Sequence, residues 1–201
     1  MNDREHDRRI SRKLSWLLRH GAAEAGVAQS PDGFVEIVDA LRVVRCSRDV
    51  LDEVVRDNEK KRFEIVGRRI RAVQGHSSAA VTLEALEASY TRYAGPDVVL
   101  HGTSFEAIPR IAREGLVPMA RTHVHLAPHA NSVVGKRASV DVFLEVSTDA
   151  LAAVGIDVHV APNGVLLARS VPVGCIVGLV AARSGAEGRA AAMRRLFAAD
   201  D

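Results

Sequence analysis

Apolar residues Ile10, Leu14, Leu17 and Leu18 recur at helical spacing among charges, and Asn2-Asp3-Arg4-Glu5 supplies a cap with Glu three residues on. The spacing predicts a first helix that stops near Arg19-His20, with Gly21 as its left-handed terminus. Pro31-Asp32-Gly33 reads as a turn, Phe34–Ile37 as a short strand and Val38–Val44 as a short helix. Ser47 caps a further helix whose stripe is Val50, Leu51, Val54 and Val55. Phe63 and Ile65 alternate with charge, and Ile70 and Ala72 follow beyond Gly67, which predicts a hairpin over 62–73. Arg71 lies on the face opposite Ile70 in that pattern, which leaves open an exposed strand arginine or a residue that carries chemistry. Helices followed by a basic hairpin describe a winged-helix lobe over residues 1–77.

Residues 78–95 predict a helical connector. Beyond it the period shortens to β segments: Val98–His101, Val124–Leu126, Val142–Val146, Val165–Leu167 and Cys175–Val180. A helix from Phe105 to Glu114, closed by Gly115, separates the first two. Residues 96–183 therefore read as a small mixed α/β lobe, and 184–201 as an Ala- and Arg-rich helical tail. The fold class expected is α+β in two lobes.

Composition narrows the class. The 201 residues are 47% hydrophobic and 26% charged, which excludes disorder throughout, and only 4% aromatic, so the core is Val, Leu, Ile and Ala. No apolar run approaches the roughly 18 residues of a membrane span, and the charged start does not resemble a signal peptide. Cys46 and Cys175 make neither a disulfide framework nor a zinc site, and a reducing cytoplasm suits them. The net charge of +2 is small, but its cations cluster: Arg4, Arg8, Arg9, Arg12, Lys13 and Arg19 open the chain, and Lys60, Lys61, Arg62, Arg68, Arg69 and Arg71 crowd the hairpin. Such charge runs are either solvated faces or, where the two clusters converge in one lobe, a polyanion site. A monomer is the expected state.

Several short strings offer chemistry. Arg19-His20 ends an amphipathic helix with neither residue on its apolar stripe. His101-Gly102-Thr103-Ser104, between a strand and a helix, reads as a turn presenting backbone N–H groups to an anion or nucleotide. His123 and His125 fall on one side of a strand with His129 beyond, but no carboxylate or thiol has supporting spacing, so no metal is expected. Lys136-Arg137 is a further basic pair.

Taken together, these strings resemble the NAD-dependent RNA 2′-phosphotransferase family. The matching blocks are Ser11-Arg-Lys-Leu-Ser15 with Leu18-Arg19-His20 and Asp32-Gly33; then Lys61-Arg62-Phe63, Ile70-Arg71-Ala72 and Gln74-Gly75-His76-Ser77. His101-Gly102-Thr103, Gly115-Leu116, Met119, Arg121 and His123-Val124-His125-Leu126 follow, then Val134-Gly135 with Arg137, Asn163-Gly164-Val165 and Val171-Pro172. Ala127 stands where the family usually has Ser, Ala138-Ser139 where it has His-Gly, and Val73 where Asn is common.

The resemblance implies an N-terminal winged-helix RNA lobe and a C-terminal lobe of ADP-ribosyltransferase type. It puts catalysis on Arg19, His20, Arg71 and Arg137. NAD, as co-substrate, would meet His101, Gly102, Thr103, His125, Leu126, Asn163 and Gly164. RNA would meet Arg12, Lys13, Lys60, Lys61, Gln74 and His76. In the implied reaction an internal RNA 2′-phosphate attacks the nicotinamide-bearing ribose carbon of NAD. The neighbouring 2″-hydroxyl of that ribose then attacks the phosphate, giving 2′-hydroxyl RNA, ADP-ribose 1″,2″-cyclic phosphate and nicotinamide. The related activity that remains open is ADP-ribosylation of terminal nucleic-acid phosphates or of protein. A protein-directed enzyme of that kind commonly carries Glu-x-Glu, whereas Glu145 has no partner two residues away.

Overall fold

The computed structural model describes residues 3–132 and 140–197. The chain divides into two compact units, Met1–Tyr90 with Ala120–Thr122, and Thr91–Met119 with His123–Asp201.

In the first unit, α1 (Asp3–Trp16) buries Ile10 and Leu14 and runs into a wide π-type turn, Leu17–Gly21, that buries Leu17 and Leu18. Gly21 is not the left-handed stop the sequence suggests. Ala22 after it is still right-handed, and the reversal comes at Gly26, with φ +63°. Gly21 is required for another reason: a Cβ there would run into the Trp16 indole, which occupies that space. The expected strand shortens to β1 (Val35–Glu36), because α2 (Ile37–Val44) already starts at Ile37. Ser47 caps α3 (Arg48–Arg56) as expected, its hydroxyl accepting from the Val50 N–H at 3.4 Å. The hairpin is β2 (Phe63–Val66) and β3 (Arg69–Ala72), turning at Gly67 with φ +59°. β3 is central, with β1 antiparallel on one side (Val35 opposite Ile70) and β2 on the other (Ile65 opposite Ile70). The helical connector shrinks to α4 (Leu83–Glu87). The Ser89 hydroxyl donates to the Leu86 carbonyl at 2.7 Å, a local bond that competes with further helix, and the Tyr90 hydroxyl turns inward to the Val73 carbonyl at 3.0 Å.

The second unit holds two antiparallel sheets, whose strands are β4 (Thr91–Arg92), β5 (Val98–Thr103), β6 (Val124–Leu126), β7 (Val142–Ser147), β8 (His159–Val160), β9 (Leu166–Ala168) and β10 (Ile176–Ala181). Their orders are β10-β7-β5 and β4-β8-β9-β6. A bridge between Leu100 and Ala127 links β5 to the chain after β6, and Val99, Leu126, Leu144, Val146, Leu166 and Leu179 fill the core beside it. α5 (Ile108–Glu114) ends at Gly115, φ +74°, as expected. Between β7 and β8 lies α6 (Thr148–Ala153), which the sequence pattern did not suggest, and the tail forms α7 (Glu187–Arg194). The start of α6 is fixed from 50 residues away. One Asp97 carboxylate oxygen accepts from the Ser147 hydroxyl at 2.9 Å and the Asp149 N–H at 2.8 Å. These bonds hold the carboxyl below its usual range. The architecture is thus mixed α and β with small antiparallel sheets. No helix among the described residues is long and apolar enough to cross a membrane.

Candidate active site

The widened turn after α1 shapes the first unit's site. The Arg19 carbonyl accepts from the N–H groups of Ser77 and Ser78, at 3.0 and 3.1 Å, so the segment after β3 is clipped to the end of the first helix. Gly75 makes the approach possible. Its φ is +83°, and its bare Cα faces the Arg19 guanidinium, whose carbon lies 3.5 Å from where a Cβ would stand. Arg19 Nε is buried there without a hydrogen-bond partner. Burial, reinforced by the neighbouring Arg62 and Arg121 guanidiniums, pushes the Arg19 pKa down to about 10. The adjacent His20 is exposed and its Nδ1 lies 2.6 Å from the Ser77 hydroxyl. Its proton affinity is lowered first by desolvation and then by Arg19 and Arg121. A half-buried cation with an open hydrogen-bond valence and further cations beside it favours an anion.

Of the two readings open for Arg71, the exposed strand arginine does not hold. It is 4% exposed. Its Nε and Nη2 bond to Glu64 Oε2 at 2.7 and 2.6 Å, and its Nη1 donates to the Asp32 carbonyl and the Ser89 hydroxyl, both at 3.1 Å. The guanidinium also stacks 4.6 Å from the Phe34 ring centre. The reason lies in partners 7 to 39 residues distant, invisible to strand alternation. His76 also departs from its expected RNA-facing place. It is fully buried, packed on Gly33, where a Cβ would come within 2.7 Å of its Nε2. Its carbonyl accepts from the Thr122 N–H at 3.0 Å, which brings Arg121 into this unit. Gln74 is half-buried, and Arg12, Lys13, Lys60 and Lys61 are exposed. Arg137 lies outside the described residues.

In the second unit, His101, Gly102 and Thr103 do not form a phosphate-cradling turn. They are the last three residues of β5, paired with Leu144, Phe143 and Val142. Gly102 is a packing glycine, since Val140 fills the side where a Cβ would stand, 2.6 Å away, and Thr103 is 3% exposed. His101 Nδ1 lies 2.9 Å from the His125 carbonyl. A carbonyl only accepts, so Nδ1 carries the proton of this bond. His125 is half-buried and Leu126 buried in β6, while His123 is 2% exposed just before that strand. Asn163 Oδ1 accepts from the Val165 N–H at 3.4 Å, and Gly164, φ +80°, has open space on its Cα face. Among the described residues no group of His, Cys, Asp or Glu could hold a metal ion.

Ser77, Arg62 and Arg121 stand near Arg19 or His20 but were not among the residues expected to be catalytic. All three lie in blocks that carried the family resemblance, so a signal was present, although the return of a segment 45 residues beyond His76 is something no local pattern carries.

Comparison with known proteins supplies the family. Residues 5–170 match the model of the RNA 2′-phosphotransferase, Tpt1/KptA family. A Burkholderia lata protein described as "Probable RNA 2′-phosphotransferase" is 39% identical over 173 residues, 82% of this chain and 87% of that protein. A Pseudomonas fluorescens protein of the same description is 39% identical over 179 residues, covering 84% and 95%. The Danio rerio "tRNA 2′-phosphotransferase 1" is 35% identical over 179 residues, covering 83% and 80%. By class, this is a transferase. The chain belongs to the RNA 2′-phosphotransferase family.

Proposed function

We propose that the enzyme removes an internal RNA 2′-phosphate by passing it to NAD, in two steps. The observation that carries this reading is Arg19: a buried, unsatisfied guanidinium nitrogen beside His20, with Arg62 and Arg121 adding positive charge. A phosphate dianion is already a nucleophile and needs position and charge complement, which planar guanidiniums supply. In the first step the 2′-phosphate, held by Arg19, displaces nicotinamide and leaves a 2′-phospho-ADP-ribosylated RNA. In the second step a ribose hydroxyl must lose a proton and an RNA oxygen must gain one, so His20 is the proton carrier, and Arg137 stabilises phosphoryl charge. Arg71, gripped by Glu64, holds the Asp32 turn and the Ser89 end of α4 around this site.

The second unit's residues fit a nucleotide. The open Gly164 turn admits close backbone approach. Gly102 and Thr103 serve this by packing β5. The first unit, with its helices and its three-stranded sheet ending in a basic hairpin, is the winged-helix RNA lobe of this reading. The second is its ADP-ribosyltransferase lobe.

The test is incubation with NAD and a 2′-phosphorylated oligonucleotide, followed by mass spectrometry. Nicotinamide, dephosphorylated RNA and an ADP-ribose cyclic phosphate are expected together. Phosphate loss that proceeds equally well without NAD overturns the reading. A stable ADP-ribosyl adduct on a 5′- or 3′-terminal phosphate, with the internal 2′-phosphate retained, favours the end-modifying activity instead.

A further inference from the structure

Ser77 is tied to both catalytic neighbours on the turn after α1. Its backbone N–H donates to the Arg19 carbonyl at 3.0 Å, and its hydroxyl lies 2.6 Å from His20 Nδ1. With Nδ1 engaged on that side, Nε2 is the nitrogen left on the far edge of an exposed ring. We propose that Ser77 is a positioning residue, accepting the Nδ1–H of His20 so that Nε2 carries the proton in the second step. The inference rests on the phosphotransfer reading above.

In that step the 2″-hydroxyl oxygen of the ADP-ribosyl group forms a bond to phosphorus as the bond from phosphorus to the RNA 2′-oxygen breaks. The proton leaving the 2″-hydroxyl passes to His20 Nε2 and from there to the RNA 2′-oxygen. A base at Nε2 needs its other nitrogen protonated, and a hydroxyl acceptor at Nδ1 selects that tautomer. A serine suits this place better than the carboxylate usual beside a catalytic imidazole. It adds no negative charge to repel the phosphate, and it does not counter the lowering of His20 proton affinity by Arg19 and Arg121, the charged groups that face the ring. His20 thus stays neutral at neutral pH and releases its proton readily.

Ser77→Ala, Ser77→Thr and the wild type are compared in single-turnover reactions that read nicotinamide release and decay of the branched RNA–ADP-ribose species separately. Ser77→Ala is expected to slow the second step by about 10²-fold, the lower end of general acid–base contributions, and to leave the first within about threefold. Ser77→Thr, which keeps the hydroxyl, is expected to restore the second step. Equal slowing of both steps, or an unchanged second step, overturns the proposal, as does failure of threonine to rescue. Nitrogen-detected NMR of the His20 ring gives a readout independent of activity. Wild type is expected to hold the Nδ1–H tautomer and Ser77→Ala to lose that preference. An identical tautomer in both proteins overturns the Ser77 assignment even if the enzyme transfers phosphate. Absence of NAD-dependent phosphate loss in wild type overturns the functional reading, and with it the role of Ser77 in catalysis.

Discussion

Arg19 sits where its own charge is disfavoured. Its pKa in the fold, about 10, lies below the ordinary guanidinium value, so the folded protein sheds this proton before the unfolded chain does. The resulting strain on stability is fully present below about pH 10 and is relieved as pH rises from there toward the ordinary guanidinium range. Arg19→Met is therefore expected to raise the melting temperature of the free protein at about pH 7–8 while abolishing stabilisation by added inorganic phosphate, both read in one thermal-shift titration. His20 is shifted in the same sense by burial, Arg19 and Arg121. Its neutral form persists below the usual histidine range, so the acid limb of the second-step pH profile is expected below pH 6.5, measured on isolated branched intermediate. Arg71 behaves differently, because its charge is matched. Removing Glu64 leaves a 4%-exposed guanidinium uncompensated, and Glu64→Ala is expected to cost about 3 kcal/mol in urea unfolding. A much smaller loss contradicts the ion pair.

At the scale of elements, the turn after α1 depends on a glycine that makes room rather than one that reverses the chain. Gly21→Ala sets a methyl group into the Trp16 indole and is expected to destabilise by about 1–3 kcal/mol. Trp16 is the sole tryptophan, so its fluorescence reports the displacement directly, and Trp16→Leu is expected to relieve most of the penalty. The elements legible in the sequence are those stopped and started locally. The Ser47 cap, the Gly67 turn and the Gly115 terminus each act within four residues of their own position. What escaped the pattern is fixed at long range. Asp97 starts α6 across 50 residues, Leu100 pairs with Ala127, and Arg71 is buried by Asp32 and Ser89. The site follows the same division. Arg19 and His20 were visible as polar residues ending an apolar stripe, whereas Arg121 depends on a return of the chain. For α6, Asp97→Ala is expected to lower the melting temperature near neutral pH. The effect should vanish at low pH, because the wild-type carboxylate, held below its usual range, loses its stabilising form as pH falls through its folded pKa.

For the whole molecule, a net charge of +2 understates the local cationic surface, which the proposed function gives to RNA. Arg8, Arg9, Arg12 and Lys13 are exposed on α1, and Lys60, Lys61 and Arg68 are exposed at the hairpin. RNA affinity is expected to fall linearly with salt on logarithmic axes. Replacing Lys60, Lys61 and Arg68 together by Ala should flatten the slope by roughly 0.7–0.9 for each phosphate that is no longer neutralised. An unchanged slope moves the RNA path off the hairpin.

The first unit is discontinuous: after Tyr90 its chain departs, and only Ala120–Thr122 come back, with Thr122 bonded to the His76 carbonyl. A fragment cut at residue 90 therefore lacks both that bond and the Arg121 charge near His20. In chimeras between relatives, the swapped C-terminal portion carries the arginine that tunes the N-terminal histidine. Compatible exchanges are expected to preserve residues 120–122 with their original first unit.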